Sequence, residues 1–451
     1  HNRCRRQRQM CIRDSNLSMK SFYAVLLALY SAFCLADAPS KKPNIVLIVA
    51  DHMGASDIGV YGAKDIETPS LDALAAQGAR YTNYYAAAPT CGPSRAAMMT
   101  RKYPARIGFE DNIDHGTGLS SSIPTLPKLL KRKGYKSGLF GKWHLGDSED
   151  MHPLAHGFDE YLGYNNWSIN YYTHRDDSGE ESLTHNRSII ERDGYLTDIL
   201  TDESIRFMEQ NRDDPFFLYL SYNTALPPYL GPDLPPEKWD AEFNIDTATR
   251  ADYIAMVEAM DAGIGRLLKA LSDLGLAEDT LVLFTYDHNG RHLARNAPFS
   301  GGFATLNEGG VRVPLIIRWP GKLSAGKTQL RSAIGMDITA TVLNAAGVES
   351  ESLNLDGRDL LKDQKPNEQR AFFWRIKLGD FGQAAVRRDN WKLLVHRFVT
   401  FSRPTVYLYD LDSDPGESID LYHQHQGLAD QMYRELIEWE ASVAQSDPPG
   451  S

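Results

Sequence analysis

The stretch Asn44-Ile45-Val46-Leu47-Ile48-Val49-Ala50, followed at once by Asp51-His52-Met53-Gly54, decides how this chain is read. From Ile45 onward the run is apolar and rich in β-branched side chains. That is the pattern of a strand covered on both faces inside a parallel sheet. It stops on polar residues, and in open α/β sheets the carboxyl ends of the strands are where ligands bind.

Reading outward, Thr68-Pro69-Ser70 opens a helix that places Leu71 and Leu74 on one face and stops at Gly78. A Tyr-rich strand or loop at 81–85 leads to Pro89-Thr90-Cys91-Gly92-Pro93-Ser94-Arg95, with helical turns expected from Ala96 to Thr100. Cys91 then lies near a helix N-terminus, where free N–H groups and the macrodipole favour anions. Helices are expected at 124–133, 189–210 and 251–274, and strands at 135–140, 216–221 and 281–285. Strands alternating with helices predict an α/β fold with a mostly parallel central sheet covered by helices on both faces. Beyond Gly347 the pattern changes to short strands near 372–374, 383–387, 391–395 and 406–409 and a helix at 428–443. A catalytic domain at 42–350 and a small antiparallel α+β subdomain at 351–445 are therefore expected.

The 451 residues carry a net charge of −11, which argues against nucleic acid or an anionic membrane as partner. Residues 1–18 are basic and aperiodic and read as an upstream, non-native segment. Residues 19–38 have the positive start, apolar run and small-residue cleavage site of a secretory signal, and the run is short for a stable membrane anchor. A periplasmic or secreted protein is expected. Cys4, Cys11 and Cys34 fall in these leaders, so Cys91 is the one cysteine of the mature chain. An unpaired thiol in an oxidising compartment needs to be buried, modified or used, and the polar, Pro-flanked surroundings of Cys91 argue against burial.

Four polar clusters fall at strand ends or helix starts: Asp51-His52, Cys91 to Arg95, Lys142 with His144, and Asp287-His288-Asn289. Asp51, Asp287 and Asn289 offer oxygen ligands to a hard cation such as calcium. His52 and His288 suit zinc or another transition metal instead. Arg95, Lys142 and a cation would converge positive charge on a sulfate or phosphate ester beside a nucleophile.

Cys91-Gly92-Pro93-Ser94-Arg95 resembles the C-x-P-S-R signature of type I sulfatases, in the alkaline-phosphatase-like superfamily. Further matches lie at Pro43-Asn44-Ile45-Val46, Asp51, Gly141-Lys142-Trp143-His144-Leu145-Gly146, Glu308-Gly309-Gly310-Val311-Arg312 and Tyr409-Asp410-Leu411-Asp412. The resemblance spans nearly the whole mature chain. It implies that a maturation enzyme reads Cys91, Pro93, Ser94 and Arg95 and oxidises the cysteine to formylglycine. The hydrated aldehyde then attacks the sulfur of a sulfated small molecule or glycan and afterwards expels sulfate. It further implies one calcium ion, with Arg95 and Lys142 holding the nucleophile and its metal ligand and His144 acting as base.

The sequence also departs from that pattern. His52 stands where a second acidic residue is usual, and the segment from Asp287 to Gly290 is one residue longer. Leu226 occupies the place of a leaving-group histidine, and Phe303 that of a lysine. Neither side chain can donate a proton or bind an anion, and loss of a general acid costs about 10²–10⁴-fold. Arg291, His292 and Arg295 could compensate as substrate contacts. Two other readings follow: a pseudo-sulfatase that binds a sulfated glycan without turnover, and a phosphoesterase on the same fold.

Overall fold

A computed structural model describes residues 42–112, 117–239, 245–349, 356–362, 370–400 and 403–444. The expected leaders at 1–18 and 19–38, and the boundary expected at 350/351, lie outside the described residues.

The large sheet contains β1 (Asn44–Ala50), β2 (Ala79–Tyr81), β3 (Lys136–Lys142), β4 (Glu160–Tyr164), β5 (Phe216–Ser221), β6 (Thr280–Tyr286), β7 (Leu315–Arg318) and β8 (Lys327–Gln329). Its order is β8-β2-β7-β6-β1-β5-β3-β4, extended beyond β4 by the two-residue strands Thr184–His185 and Ser188–Ile189. The strands from β6 to β4 in that order are parallel, and β7 runs against its neighbours. β1 lies centrally, and Ile45 to Val49 are wholly buried. Its continuous apolar run is thus the consequence of neighbours on both edges and cover on both faces. The registers Val49↔Ser221, Ala50↔Tyr286 and Gly141↔Ser221 bring the carboxyl ends of β1, β3, β5 and β6 to one edge.

The helices of six residues or more are α1 (Pro69–Gln77), α2 (Cys91–Thr100), α3 (Leu126–Lys131), α4 (Leu196–Gln210), α5 (Arg250–Asp273), α6 (Met336–Ala345) and α7 (Gln426–Ala444), and Glu308–Val311 forms a single further turn. Two differ from expectation for identifiable reasons. α2 begins at Cys91 itself, because Pro93 falls in the first turn, where its missing N–H has no helical acceptor to lose. α4 begins at Leu196 and not near 189: Gly194 takes φ +124° and Tyr195 is extended, while Ser188–Ile189 pair as a short strand. α5 opens with a reciprocal Thr249/Asp252 capping box.

The C-terminal sheet is antiparallel: β9 (Ala371–Leu378), β10 (Phe381–Arg388), β11 (Trp391–Phe398) and β12 (Thr405–Asp410). Its first three strands are eight residues each, longer than the sequence suggested. Phe372, Trp374 and Ile376 alternate inward while Arg375, on the other face, is held by Glu110. The sheet shares a core with Tyr85 and Ala97 of the α2 region, and Trp374 Nε1 donates to Ala86 O at 2.9 Å. The C-terminal sheet thereby buttresses the helix that carries Cys91.

Candidate active site

The parallel strands deliver their end residues to one buried cluster. Asp51 follows β1, Lys142 ends β3, Ser221 ends β5 and Asp287 follows β6, while α2 brings in Cys91 and, one turn later, Arg95. Arg95 links the parts. Nη2 donates to Asp51 Oδ2 at 2.9 Å, Nε to Asp287 Oδ2 at 2.9 Å and Nη1 to Ser221 Oγ at 2.5 Å. Lys142 Nζ meets the same Asp51 Oδ2 at 2.6 Å. All four charged side chains are buried. Gly141 is required beside them: its φ is +115°, and a Cβ there would lie 1.9 Å from Ser221 O.

The electrostatics follow from burial and neighbours. Burial alone would raise the Asp51 carboxyl, but Lys142, Arg95 and His288 outweigh it and hold it well below the usual range. Burial and the nearby Asp51 push Asp287 up. Burial opposes a charge on His288, yet Asp287 and Cys91 raise it to about 10. The site therefore favours positive charge at His288 Nε2, which lies 3.7 Å from Asp51 Oδ1, 3.6 Å from Asp287 Oδ1 and 3.0 Å from Cys91 Sγ. Burial, then Lys142 and Arg95, push His144 well down and keep its ring neutral. Burial and His288 likewise lower His52 to about 3. His52 and His144 both take positive φ, 60° and 54°, an uncommon conformation outside glycine that recurs at functional sites.

Cys91 is buried, with 4% of its surface exposed, which corrects the expectation drawn from its flanking residues. Those polar neighbours are themselves buried, and the thiol packs among them and not in an apolar core. Pro93 and Ser94 are buried in the first turn of the same helix. His52 stands beside the cluster. Its Nε2 accepts the Arg291 backbone N–H at 3.3 Å, and Phe303 packs against it at 5.1 Å between centroids. The same phenyl ring covers His288 at 5.0 Å. Leu226 is buried, on a segment tied to 165–185 by Tyr171 Oη to Asn223 O (2.9 Å) and Ser168 Oγ to Pro227 O (2.7 Å). Arg291 and His292 are exposed on the loop beyond Gly290.

The donor set fits a divalent cation. Asp51, Cys91, Asp287 and His288 present ligand atoms within 4.8 Å of one another. Asn289 Oδ1 is buried with no hydrogen-bond partner, while its Nδ2 is fixed on Arg312 O at 2.7 Å. An orphaned buried oxygen is costly unless something satisfies it. Sequence reasoning missed Tyr219 and Ser221, which hold Arg95, and Tyr164, whose buried hydroxyl has no partner. Their one signal was position, at or near the carboxyl ends of strands.

A family model described as Sulfatase matches residues 43–348, and one described as N-sulphoglucosamine sulphohydrolase, C-terminal, matches 304–442. Mouse N-acetylgalactosamine-6-sulfatase is 34% identical over 369 residues, covering 75% of this chain and 69% of that protein. Mouse steryl-sulfatase is 32% identical, covering 77% and 70%. The crystal structure of Ps i-CgsB superposes with a TM-score of 0.81 at 33% identity, covering 90% of this chain and 94% of the other. The same protein has been solved in complex with k-i-k-neocarrahexaose. With the buried cluster at the sheet edge, these matches show that the chain belongs to the sulfatase family, the hydrolases of sulfate esters.

Proposed function

We propose that this chain hydrolyses a sulfate ester of a carbohydrate after Cys91 is converted to formylglycine, with one calcium ion held by Asp51, Asp287 and Asn289. The observation that carries the reading is the placement of Cys91. It is the first residue of α2, its Sγ points into the charged pocket, and Arg95 on the same helix bridges both carboxylates. When present, formylglycine supplies a hydrated aldehyde as nucleophile and the cation supplies electrophilic charge.

This chain's own residues do the rest. Arg95 and Lys142 set fixed, buried positive charge against the developing charge of the transition state. The α2 N-terminus adds its dipole in the same direction. His144 keeps Nδ1 unpartnered and would be the group that accepts a proton, with substrate negative charge offsetting Lys142 and Arg95, which disfavour its charged form. Arg291 and His292 would meet the substrate at the mouth, and the 165–185 segment would form its rim. The likeness to a galactosamine sulfatase and to a protein solved with a carrageenan-type oligosaccharide supports a glycan substrate.

Export through residues 19–38, recognition of the Cys91 motif by a maturation enzyme, and division into 42–350 and 351–445 belong to the same proposal. Two separate family models, matching 43–348 and 304–442, support a division into two parts. Among the described residues no helix is long and apolar enough to cross a membrane.

The test is turnover of an aryl sulfate against an aryl phosphate, each with and without calcium. Preference for the sulfate, dependence on calcium and loss in Cys91→Ala support the reading; preference for the phosphate contradicts it. Burial of Leu226 and the cover of Phe303 over both histidines favour one alternative, glycan binding without turnover. Binding of a sulfated oligosaccharide with no release of sulfate would establish it.

A further inference from the structure

The donor atoms around Cys91 carry a consequence for the chain before any conversion. Cys91, His288, Asp51 and Asp287 are all buried, and each offers one ligand atom within 4.8 Å of the others. A tetrahedral zinc site with bonds of about 2.0–2.3 Å has ligand-to-ligand edges of about 3.3–3.8 Å. Three of the six edges are 3.6 Å (Nε2 to Asp287 Oδ1), 3.7 Å (Nε2 to Asp51 Oδ1) and 3.9 Å (Sγ to Asp51 Oδ1), and the two that join Asp287 to Asp51 and to Sγ are within 4.8 Å. The Sγ to Nε2 edge of 3.0 Å is shorter and has to open by several tenths of an ångström.

Each donor is also oriented from behind, as metal ligands are. His288 Nδ1 lies 2.8 Å from Asn289 O and donates its proton there, so that a cation displacing the Nε2 proton meets a lone pair directed into the cluster. Asp51 Oδ2 is taken by Arg95 and Lys142, and Asp287 Oδ2 by Arg95. Asp287 Oδ1 also accepts the His288 backbone N–H at 2.9 Å and keeps a second lone pair. The set is one sulfur, one imidazole nitrogen and two oxygens, which suits zinc-class ions and not calcium, a cation that takes six to eight oxygens.

We propose that the chain with Cys91 unconverted binds one zinc-class ion through Cys91, His288, Asp51 and Asp287, so that the atom at residue 91 selects the metal. With sulfur there the site is closed and soft, and the thiolate is capped as a ligand. With oxygen there, the soft donor is gone.

The test uses the full chain in its thiol form, stripped with a chelator and titrated with cobalt(II). The expected result is one more equivalent bound by the parent than by Cys91→Ser, with a near-ultraviolet thiolate-to-cobalt band present only in the parent. His288→Ala should weaken that equivalent at least tenfold, zinc should displace it, and millimolar calcium should not. Alkylation read on the residue-91 peptide should be blocked by zinc and restored by the chelator, which separates Cys91 from Cys4, Cys11 and Cys34. Equal stoichiometry and spectra for the parent and a folded Cys91→Ser, or displacement by calcium, would overturn the proposal. The outcome is independent of sulfate ester hydrolysis, because the converted chain is not used.

Discussion

The cluster at the sheet edge (Asp51, Arg95, Lys142, Asp287) and the cluster around Lys392 of the C-terminal sheet (Glu308, Lys392, Glu417) are built from the same ingredients. Both bury carboxylates and cations almost completely. They differ in what is left over. Lys392 Nζ lies 2.9 Å from Glu308 Oε1 and 2.9 Å from Glu417 Oε1. The second Glu308 oxygen accepts Tyr85 Oη and Arg312, and the second Glu417 oxygen accepts the Glu308 N–H and Ser300 Oγ. Every carboxylate oxygen there lies against a cation or a hydrogen-bond donor, Glu417 Oε1 meeting Lys392 as an ion pair outside hydrogen-bond geometry. At the sheet edge Asp51 Oδ1 faces only a thiol and an imidazole, and Asn289 Oδ1 faces no partner. A cluster whose every oxygen is matched by a cation or a donor holds the fold, whereas one with ligand atoms to spare is ready for a ligand.

The largest effect should come from Cys91→Ala. Turnover of any sulfate ester should fall to background while the melting temperature stays close to the parent, since one small side chain is removed. Residual turnover at parental rate would place the chemistry elsewhere. Lys392→Met should do the opposite. It leaves two carboxylates buried without their cation, a loss of about 3–5 kcal/mol in denaturant unfolding. The folded fraction should keep its kcat, and a lost kcat would show that the second cluster also shapes the site.

The same pair gives a pH signature. Although burial would raise it, Lys392 and Arg312 hold Glu308 at about 2, below its ordinary 4.5. A depressed carboxylate stabilises fully above 4.5 and loses that contribution as pH falls toward about 2. The deficit of Lys392→Met against the parent should therefore shrink across that window; a constant deficit would refute the pairing.

Leu226→His probes the apolar side of the pocket. Supplying a proton donor should raise turnover of an alkyl sulfate by about 10–100-fold, with little change for an aryl sulfate whose leaving group needs no proton. No change for the alkyl ester would mean that Leu226 does not face the leaving group. Arg291→Ala should have the smallest effect, raising KM about two- to fivefold with kcat unchanged, as for an exposed ionic contact.

The fold was legible where local pattern and tertiary setting agree. Ile45 to Val49 are apolar because β1 is covered on both faces, and the α5 periodicity faces a core through Met256, Val257, Ile264, Leu267 and Leu271. The 189–210 helix was overextended because 190–193 contain good helix formers, while Gly194 and Tyr195 fix the start by backbone conformation. The burial of Cys91 was misread for a different reason. Polarity in sequence predicts exposure only when polar neighbours face water, and here Arg95 and Ser94 turn inward with the thiol. The site residues were visible as four separate clusters at strand ends. Their pairing through Arg95, and the roles of Tyr219 and Ser221, depended on strand order, which periodicity does not encode.

Mass spectrometry of the residue-91 peptide reads the conversion of Cys91 itself, using protein produced with a maturation enzyme and shown to hydrolyse an aryl sulfate. An aldehyde in place of the thiol is expected, in proportion to activity across preparations. A fully active preparation whose residue 91 is an unmodified thiol throughout would contradict it.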